Sequence, residues 1–367
     1  MIEIAGNCDL KVYCEGLEQA AIEQIETLAK QPAFEGAKVR IMPDAHAGAG
    51  CVIGFTANLG EKVVPNLVGV DIGCGMLAFD AGEVGDYASF DEVVKKNVPA
   101  GFGVHTRENN DVGSLGLLCY DELKSVDRLN RSMGTLGGGN HFIEVDVADG
   151  RTWVVIHTGS RNLGLQVANL YQAKAAEECR DDVPKDLKYL DGELAQRYLH
   201  DMRICQRWAS GNRKEIMRKL VVGLRAHVSD SFETVHNYIG DDDIIRKGAI
   251  SAKEGERVLI PLNMRDGSVI GVGKGNADWN ESAPHGAGRV MSRSKARKEL
   301  SVDEFKAQMD GVYTTTANEE TLDEAPGAYK PAQSIIDALG PTVDVTDRLM
   351  PVYNFKACDS RKYKRGM

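Results

Sequence analysis

Short apolar runs cut by glycine constrain this chain more than any other feature. Between residues 38 and 82 the runs KVRIMP, CVIGFTA and LVGVDIGCGM follow one another. Apolar stretches this short, bounded by turn formers, predict buried strands joined by tight turns. A second such block spans residues 134–164 and contains TWVVIH; RVLIPLNM and SVIGVG belong to a third. Apolar residues at helical spacing predict a surface helix over residues 17–30 and a mostly helical stretch over 192–228. Within the latter, Ser210, Gly211 and Asn212 mark either a break or a weak point in one long helix. HGAGRVMSRSKARKEL then reads as a glycine turn leading into a basic helix. Chemistry-bearing residues fall in all three blocks, so no domain boundary separates them. The expectation is one α+β domain over residues 1–367.

Composition narrows the partners. The chain has 44 basic and 54 acidic side chains, a formal charge of −10. A protein that coats nucleic acid through phosphate contacts needs a basic surplus, so that class is excluded. A local basic site on an acidic body is not. No basic stretch followed by an apolar one opens the sequence, and no run approaches 18 apolar residues. The eight cysteines form no CxxC pair and do not read as a disulfide scaffold. The expected setting is a reducing cytosol, without a membrane anchor.

The eight histidines are unevenly placed. His46, His141, His157 and His285 each adjoin glycine or a small polar residue where a strand meets a turn, positions that aim side chains into a cleft. His200 and His227 lie in helical patterns and read as structural or solvated, while His105 sits in a loop and is undecided. In VDIGCG, Asp71 precedes Cys74 by three residues. Alone, that is a buried cysteine in a turn. With His141, His157 and His236 added, the set suits a divalent metal, and by ligand softness thiolate plus imidazole prefers zinc to manganese.

Two glycine-rich stretches, GTLGGGNH and KGN followed by HGAGR, could present backbone N–H groups to phosphate. Neither matches a Walker or a dinucleotide-binding pattern. From His285 to Lys298 the chain carries Arg289, Arg293, Lys295, Arg297 and Lys298 and no acid. Such a run either receives polyphosphate or forms a solvated helical face.

Taken together the motifs resemble the RtcB family of GTP-dependent RNA ligases. The matching segments are MPDAHAGAGCVIG (42–54), VGVDIGCG (68–75), GTLGGGNHFIEV (134–145), IHTGSRNLG (156–164), HNY (236–238), SAPHGAGRVMSR (282–293) and EAPGAYK (324–330). They run in family order along nearly the whole chain. The resemblance implies an RtcB-like fold, a single compact domain with mixed and antiparallel sheets around a metal cleft and helices on its flanks. It implies an enzyme that joins RNA 3′-phosphate or 2′,3′-cyclic phosphate ends to 5′-hydroxyl ends, in RNA repair or tRNA splicing. It implies two Mn²⁺ ions, one held by Asp71, Cys74 and His141 and the other by Cys74, His157 and His236. It implies GTP as co-substrate and His285 as the nucleophile that takes GMP.

For the nucleotide, the resemblance points to Asn140, His141, Phe142, Glu144, His236, Asn237, Ser268, His285, Gly286, Ala287, Gly288, Tyr329 and Lys356. For RNA it points to Arg161 and Arg289. Partners are RNA ends and GTP, with an activating helper among those the resemblance allows; a monomer is the default. Two departures stand out. PLNMRDGS places Asn263 and Arg265 where many members carry a serine-bearing segment, leaving Ser268 to serve. Lys356 is followed by a basic extension, residues 357–367. The rival expectations are a zinc phosphoesterase acting on cyclic phosphate ends and a non-catalytic RNA-end binder. Acidic residues concentrate in ECRDDVPKD and GDDDI, away from the motifs. A focused positive cleft gripping RNA ends is therefore compatible with the net charge.

Overall fold

The larger of two main sheets is antiparallel throughout. Its seven strands run in the order Arg257–Asn263, Gly267–Gly273, Val343–Lys356, Phe142–Ala148, Arg151–Thr158, Gly75–Asp80, Asp230–Val235. Its outer strands approach each other. The Leu259 N–H donates to Thr234 Oγ1 at 3.0 Å, and Arg257 pairs with Asp230 at 2.7 Å. The sheet therefore curls almost into a barrel, which protects edges that would otherwise be open. The computed structural model that gives this architecture describes residue 4 and residues 6–358.

Strand periodicity sorts the apolar side chains onto two faces. Leu77, Phe79, Ile143, Val145, Val154 and Ile156 pack outward against Ile216 and Leu220 of the helix Gly192–Leu224. Met76, Ala78, Phe142, Trp153 and Val155 cluster with Leu259, Ile270 and Leu349 on the other face. The second sheet is mixed, in the order Asp9–Val12, Lys38–His46, Ile53–Asn58, Ile244–Lys247, Asn237–Ile239, and only its first pair is parallel. A ribbon of Ala249–Ser251 with Ser282–Pro284 stands beside them. The expected α+β architecture of mixed and antiparallel sheets with flanking helices is present.

The expected surface helix occupies Gln19–Ala29. Ser210, Gly211 and Asn212 interrupt nothing: Gly192–Leu224 is one helix of 33 residues. The buried Asn212 Oδ1 accepts from the Gly134 and Thr135 N–H groups at 2.7 and 3.1 Å, so this residue ties the helix to a glycine-rich loop. The expectation of a strand through LVGVDIGCGM needs correction. Only Gly75 onward is strand, after a 3₁₀ turn at Pro65–Leu67. Gly69 and Gly73 adopt φ of 88° and 72°, values that end a strand, and Val70 is 45% exposed. The basic helix is short, Arg293–Glu299, capped by Ser292. Among the described residues no helix is long and apolar enough to cross a membrane. Of the C-terminal extension, Ala357 and Cys358 are described, and the basic cluster at residues 361–365 lies outside the described residues.

Candidate active site

Four neighbouring strands of the larger sheet bring their ends to one rim. Cys74 precedes Gly75–Asp80, His157 lies near the end of Arg151–Thr158, His141 precedes Phe142–Ala148, and His236 follows Asp230–Val235. Antiparallel pairing alternates starts and ends along one edge, so ligands 67 to 83 residues apart in the chain come into contact. His236 also marks the crossing into the mixed sheet, since Asn237–Ile239 belongs to it. Its N–H donates to the Cys74 carbonyl at 2.9 Å.

The ligand atoms converge as two sets that share Cys74. Asp71, Cys74 and His141 form one, and Cys74, His157 and His236 the other, each within 4.8 Å. Cys74 Sγ lies 3.5 Å from His141 Nε2 and 3.3 Å from His157 Nε2, which is itself 3.3 Å from His236 Nε2. His141 Nδ1 faces the Leu136 carbonyl at 2.9 Å and His157 Nδ1 the Asn140 carbonyl at 3.2 Å. Those contacts hold both rings with Nε2 facing inward, the nitrogen a metal would take.

Electrostatics push the same way. Burial holds the imidazoles of His157 and His236 well below their ordinary range, hence neutral. Burial works against the Asp71 carboxylate, yet His141 and Arg161 hold it at about 2. Burial, then Asp71, push the Cys74 thiol well above its usual value. His141 Nε2 stands 2.9 Å from Asp71 Oδ2, close enough for one proton, or a cation in its place, to lie between them. This donor set fits divalent cations, which displace protons and convert the thiol to thiolate. Gly159 permits the arrangement, because a Cβ there would meet Asp71 Oδ1 at 2.3 Å.

His285 stands beside this cluster, its ring 5.1 Å from that of His236 between centroids. Its Nδ1 lies 2.7 Å from Asp44 Oδ2, an oxygen that also accepts the His285 and Gly286 N–H groups at 3.1 and 3.3 Å. Asp44 is fully buried where Lys38–His46 passes the loop carrying His285. The carboxylate fixes the Nδ1–H tautomer and leaves Nε2 free as a nucleophile.

One cavity of about 360 Å³ adjoins both features. Of the residues expected at the nucleotide, Asn140, Phe142, Glu144, His236, Asn237, His285, Gly286, Ala287, Gly288, Tyr329 and Lys356 line it, as do Asp71, Cys74, His157 and Arg289. The buried Glu324 organises one wall. It accepts from Tyr329 Oη at 2.5 Å and pairs with Lys356, Arg289 and Arg293 at 3.2 Å each. Lys356 Nζ also sits 4.7 Å above the Phe142 ring. Glu144, its carboxyl pushed up by burial, accepts from Asn354 Nδ2 at 2.5 Å.

Three expected residues do not line the cavity: His141, whose ring belongs to the Asp71–Cys74 set, Ser268 and Arg161. Ser268 is fully buried within Gly267–Gly273 and does not line the cavity, because the sheet pairs it between Pro261 and Leu349. Asn263, which does line it, spends its amide on the turn, donating to Asp266 Oδ2 at 2.8 Å and accepting from the Arg265 and Asp266 N–H groups. Arg161 is not on the cavity wall but behind it, its Nη1 3.3 Å from His141 Nδ1 and its guanidinium over Gly137. His46 lines the cavity with Nδ1 3.1 Å from the Asp44 carbonyl, whereas His105 lies with Lys219 and the Gly134 carbonyl. His200 and His227 are exposed. Arg293 and Arg297 of the basic run pair with Asp323, and Lys295 with Glu299 of its own helix, so three of the four basic residues on the helix face an acid.

Sequence reasoning passed over Asp44, Glu324, Asn354 and Lys247, all close to or on the cavity wall. The available signal was an acid inside an apolar run for Asp44 and one before a proline turn for Glu324; neither names a partner.

Comparison with known proteins finds relatives along most of the chain. The family model described as tRNA-splicing ligase RtcB matches residues 24–117 and 118–357. RNA-splicing ligase RtcB of Escherichia coli K12 is 30% identical, over 94% of this chain and 97% of that protein. The tRNA-splicing ligases RtcB of Nanoarchaeum equitans and Archaeoglobus fulgidus are 29% and 28% identical, covering 81% and 88% of this chain and 83% and 88% of theirs. Ligands, free imidazole and cavity thus sit within a match spanning nearly every described element, and the chain belongs to the RtcB family of RNA-splicing ligases.

Proposed function

We propose that this protein joins RNA 3′-phosphate or 2′,3′-cyclic phosphate ends to 5′-hydroxyl ends, consuming GTP through a GMP–His285 intermediate with two Mn²⁺ ions in place. The observation that carries the reading is the free Nε2 of His285, oriented by Asp44 beside two ligand sets that share Cys74. Nε2 attacks the α-phosphorus of GTP, a P–N bond forms and pyrophosphate leaves. Positive charge that develops on the imidazole is balanced by the Asp44 carboxylate against Nδ1. A cyclic end is first hydrolysed, water adding to phosphorus as the bond to O2′ breaks and leaves a 2′-hydroxyl. An oxygen of the resulting 3′-phosphate then takes GMP from Nε2 and restores the neutral ring. The 5′-hydroxyl attacks that activated phosphorus and GMP departs.

Asp71, Cys74 and His141 would hold one ion and Cys74, His157 and His236 the other. Bound divalent ions neutralise phosphate charge and lower the pKa of an attacking hydroxyl. Glu144, Asn140, Tyr329 and Lys356 supply donors and acceptors for the guanylyl group, and Arg161 a cation behind the reacting phosphates. The thiolate-imidazole set also favours zinc, which supports the rival reading of water activation on cyclic phosphate ends.

Labelled GTP with Mn²⁺ should give an acid-labile GMP adduct on the wild-type protein and none on His285→Ala. With both RNA ends present, ligated product should follow. Absence of an adduct, together with zinc-supported release of cyclic ends without nucleotide, would establish the phosphoesterase instead.

A further inference from the structure

Lys330 belongs to no ligand set and does not line the cavity, yet its side chain reaches the strand that orients the nucleophile. Its Nζ lies 3.0 Å from the Pro43 carbonyl, 3.4 Å from the Ala45 carbonyl and 3.4 Å from Cys14 Sγ. An ammonium has three donors, and here each has one acceptor. Two of those acceptors are the peptide oxygens on either side of Asp44, the residue whose Oδ2 holds His285 Nδ1.

The backbone of Lys330 grips the other side of the same assembly. Its N–H donates to the Gly288 carbonyl at 3.1 Å, and the neighbouring Tyr329 bridges to Arg289. Gly288 in turn lies so close to Asp44 that a Cβ there would meet the Asp44 carbonyl oxygen at 2.4 Å. One residue thus joins the Asp44 strand, through its side chain, to the loop carrying His285, through its backbone. A flexible lysine stem loses conformational freedom when held at three points, so this geometry fixes both segments relative to each other.

We infer that Lys330 is a positioning residue for guanylyl transfer, acting through Asp44 to set the orientation and tautomer of His285. It touches no reacting atom. Its removal leaves the Asp44 carboxylate in place chemically but free to drift from Nδ1, and displacements of this kind weaken a near-attack geometry without altering the binding of GTP.

The activity readout rests on the ligase reading, so the test has two arms. In single-turnover labelling with GTP and Mn²⁺, Lys330→Met should lower the rate constant for the GMP adduct by at least about tenfold, with the GTP concentration for half-maximal rate within about twofold. The double variant Asp44→Asn/Lys330→Met should be no slower than Asp44→Asn alone, because both act on one contact. In the second arm, ¹⁵N-imidazole NMR of the protein loaded with diamagnetic Zn²⁺ should show the His285 Nδ1–H signal moving away from its carboxylate-bonded position in Lys330→Met. Lys330→Gln, too short to reach all three acceptors, carries the same expectations should the methionine variant not fold. A Lys330→Met rate within twofold of wild type, a loss that multiplies with Asp44→Asn, or an unmoved His285 signal would each overturn the inference. If the wild-type protein forms no adduct, the ligase reading fails, and the NMR arm still decides the role of Lys330.

Discussion

His285 Nδ1 and Asp44 Oδ2 lie 2.7 Å apart, and the carboxylate that makes this contact is wholly buried. A buried carboxylate aimed at one ring nitrogen dictates which nitrogen stays bare. Asp44→Asn keeps the size but removes the charge, and its amide is free to turn an N–H toward the ring. We expect the rate of GMP-adduct formation to fall by at least about 100-fold, with melting temperature nearly unchanged. Rapid-quench labelling checks the rate; a variant as fast as wild type would show that the pair is only structural.

Cys74 is the one residue common to both ligand sets. Losing it should therefore remove two ions, whereas His141→Ala and His236→Ala should each weaken one. Metal content by mass spectrometry after equilibration with Mn²⁺, paired with titration calorimetry, reads the stoichiometry. We expect Cys74→Ala to retain none at concentrations that saturate the wild-type protein. Binding of two ions by Cys74→Ala would mean the sets are independent. Chelation should lower the melting temperature of the wild-type protein and leave that of Cys74→Ala unmoved.

Much of this site was legible beforehand because antiparallel strands end where glycines and histidines stand together. His141, His157 and the Asp71–Cys74 turn carry that local signature. What brings them into one cluster is the strand order, which no local pattern encodes. Asp44 was not legible, since an acid inside an apolar run announces burial but not its partner 241 residues away. The basic run after His285 was read without its counter-charges, because Asp323 and Glu324 arrive from a distant segment. Ser268 shows the converse error, where a plausible residue type occupies a position that the sheet register buries.

Asp242 makes stability depend on pH in a defined direction. Burial raises its carboxyl, but Arg246 outweighs burial and holds it at about 2. Arg246 Nη2 stands 2.9 Å from Asp242 Oδ2 at the turn joining Asn237–Ile239 to Ile244–Lys247. A depressed carboxylate stabilises the fold above its unfolded value, near 3.9, and loses that contribution as the pH falls toward 2. Asp242→Asn should cost on the order of 2 kcal/mol at pH 7, and the gap from wild type should shrink below pH 4. Urea unfolding at pH 7, 5 and 3 measures it; a pH-independent gap would assign the loss to packing.

Arg213 tests whether the long helix supports the metal cluster. Its fully buried guanidinium donates to the Gly73 and Thr158 carbonyls at 2.7 and 2.9 Å and pairs with Glu233 at 2.9 Å. Gly73 precedes Cys74 and Thr158 follows His157, so one side chain fixes the backbone beside a ligand on each of two strands. Arg213→Met would leave the Gly73 and Thr158 carbonyls without this donor, while Glu233 keeps Ser210 and Lys214 as partners, a loss of about 2–4 kcal/mol. We expect metal affinity to fall as well, by about 10- to 100-fold, since groups that orient ligands typically contribute that much. Unfolding by urea in the metal-free state separates the two effects: if the variant loses stability there yet binds Mn²⁺ as tightly as wild type, the arginine supports the fold but does not position the ligands.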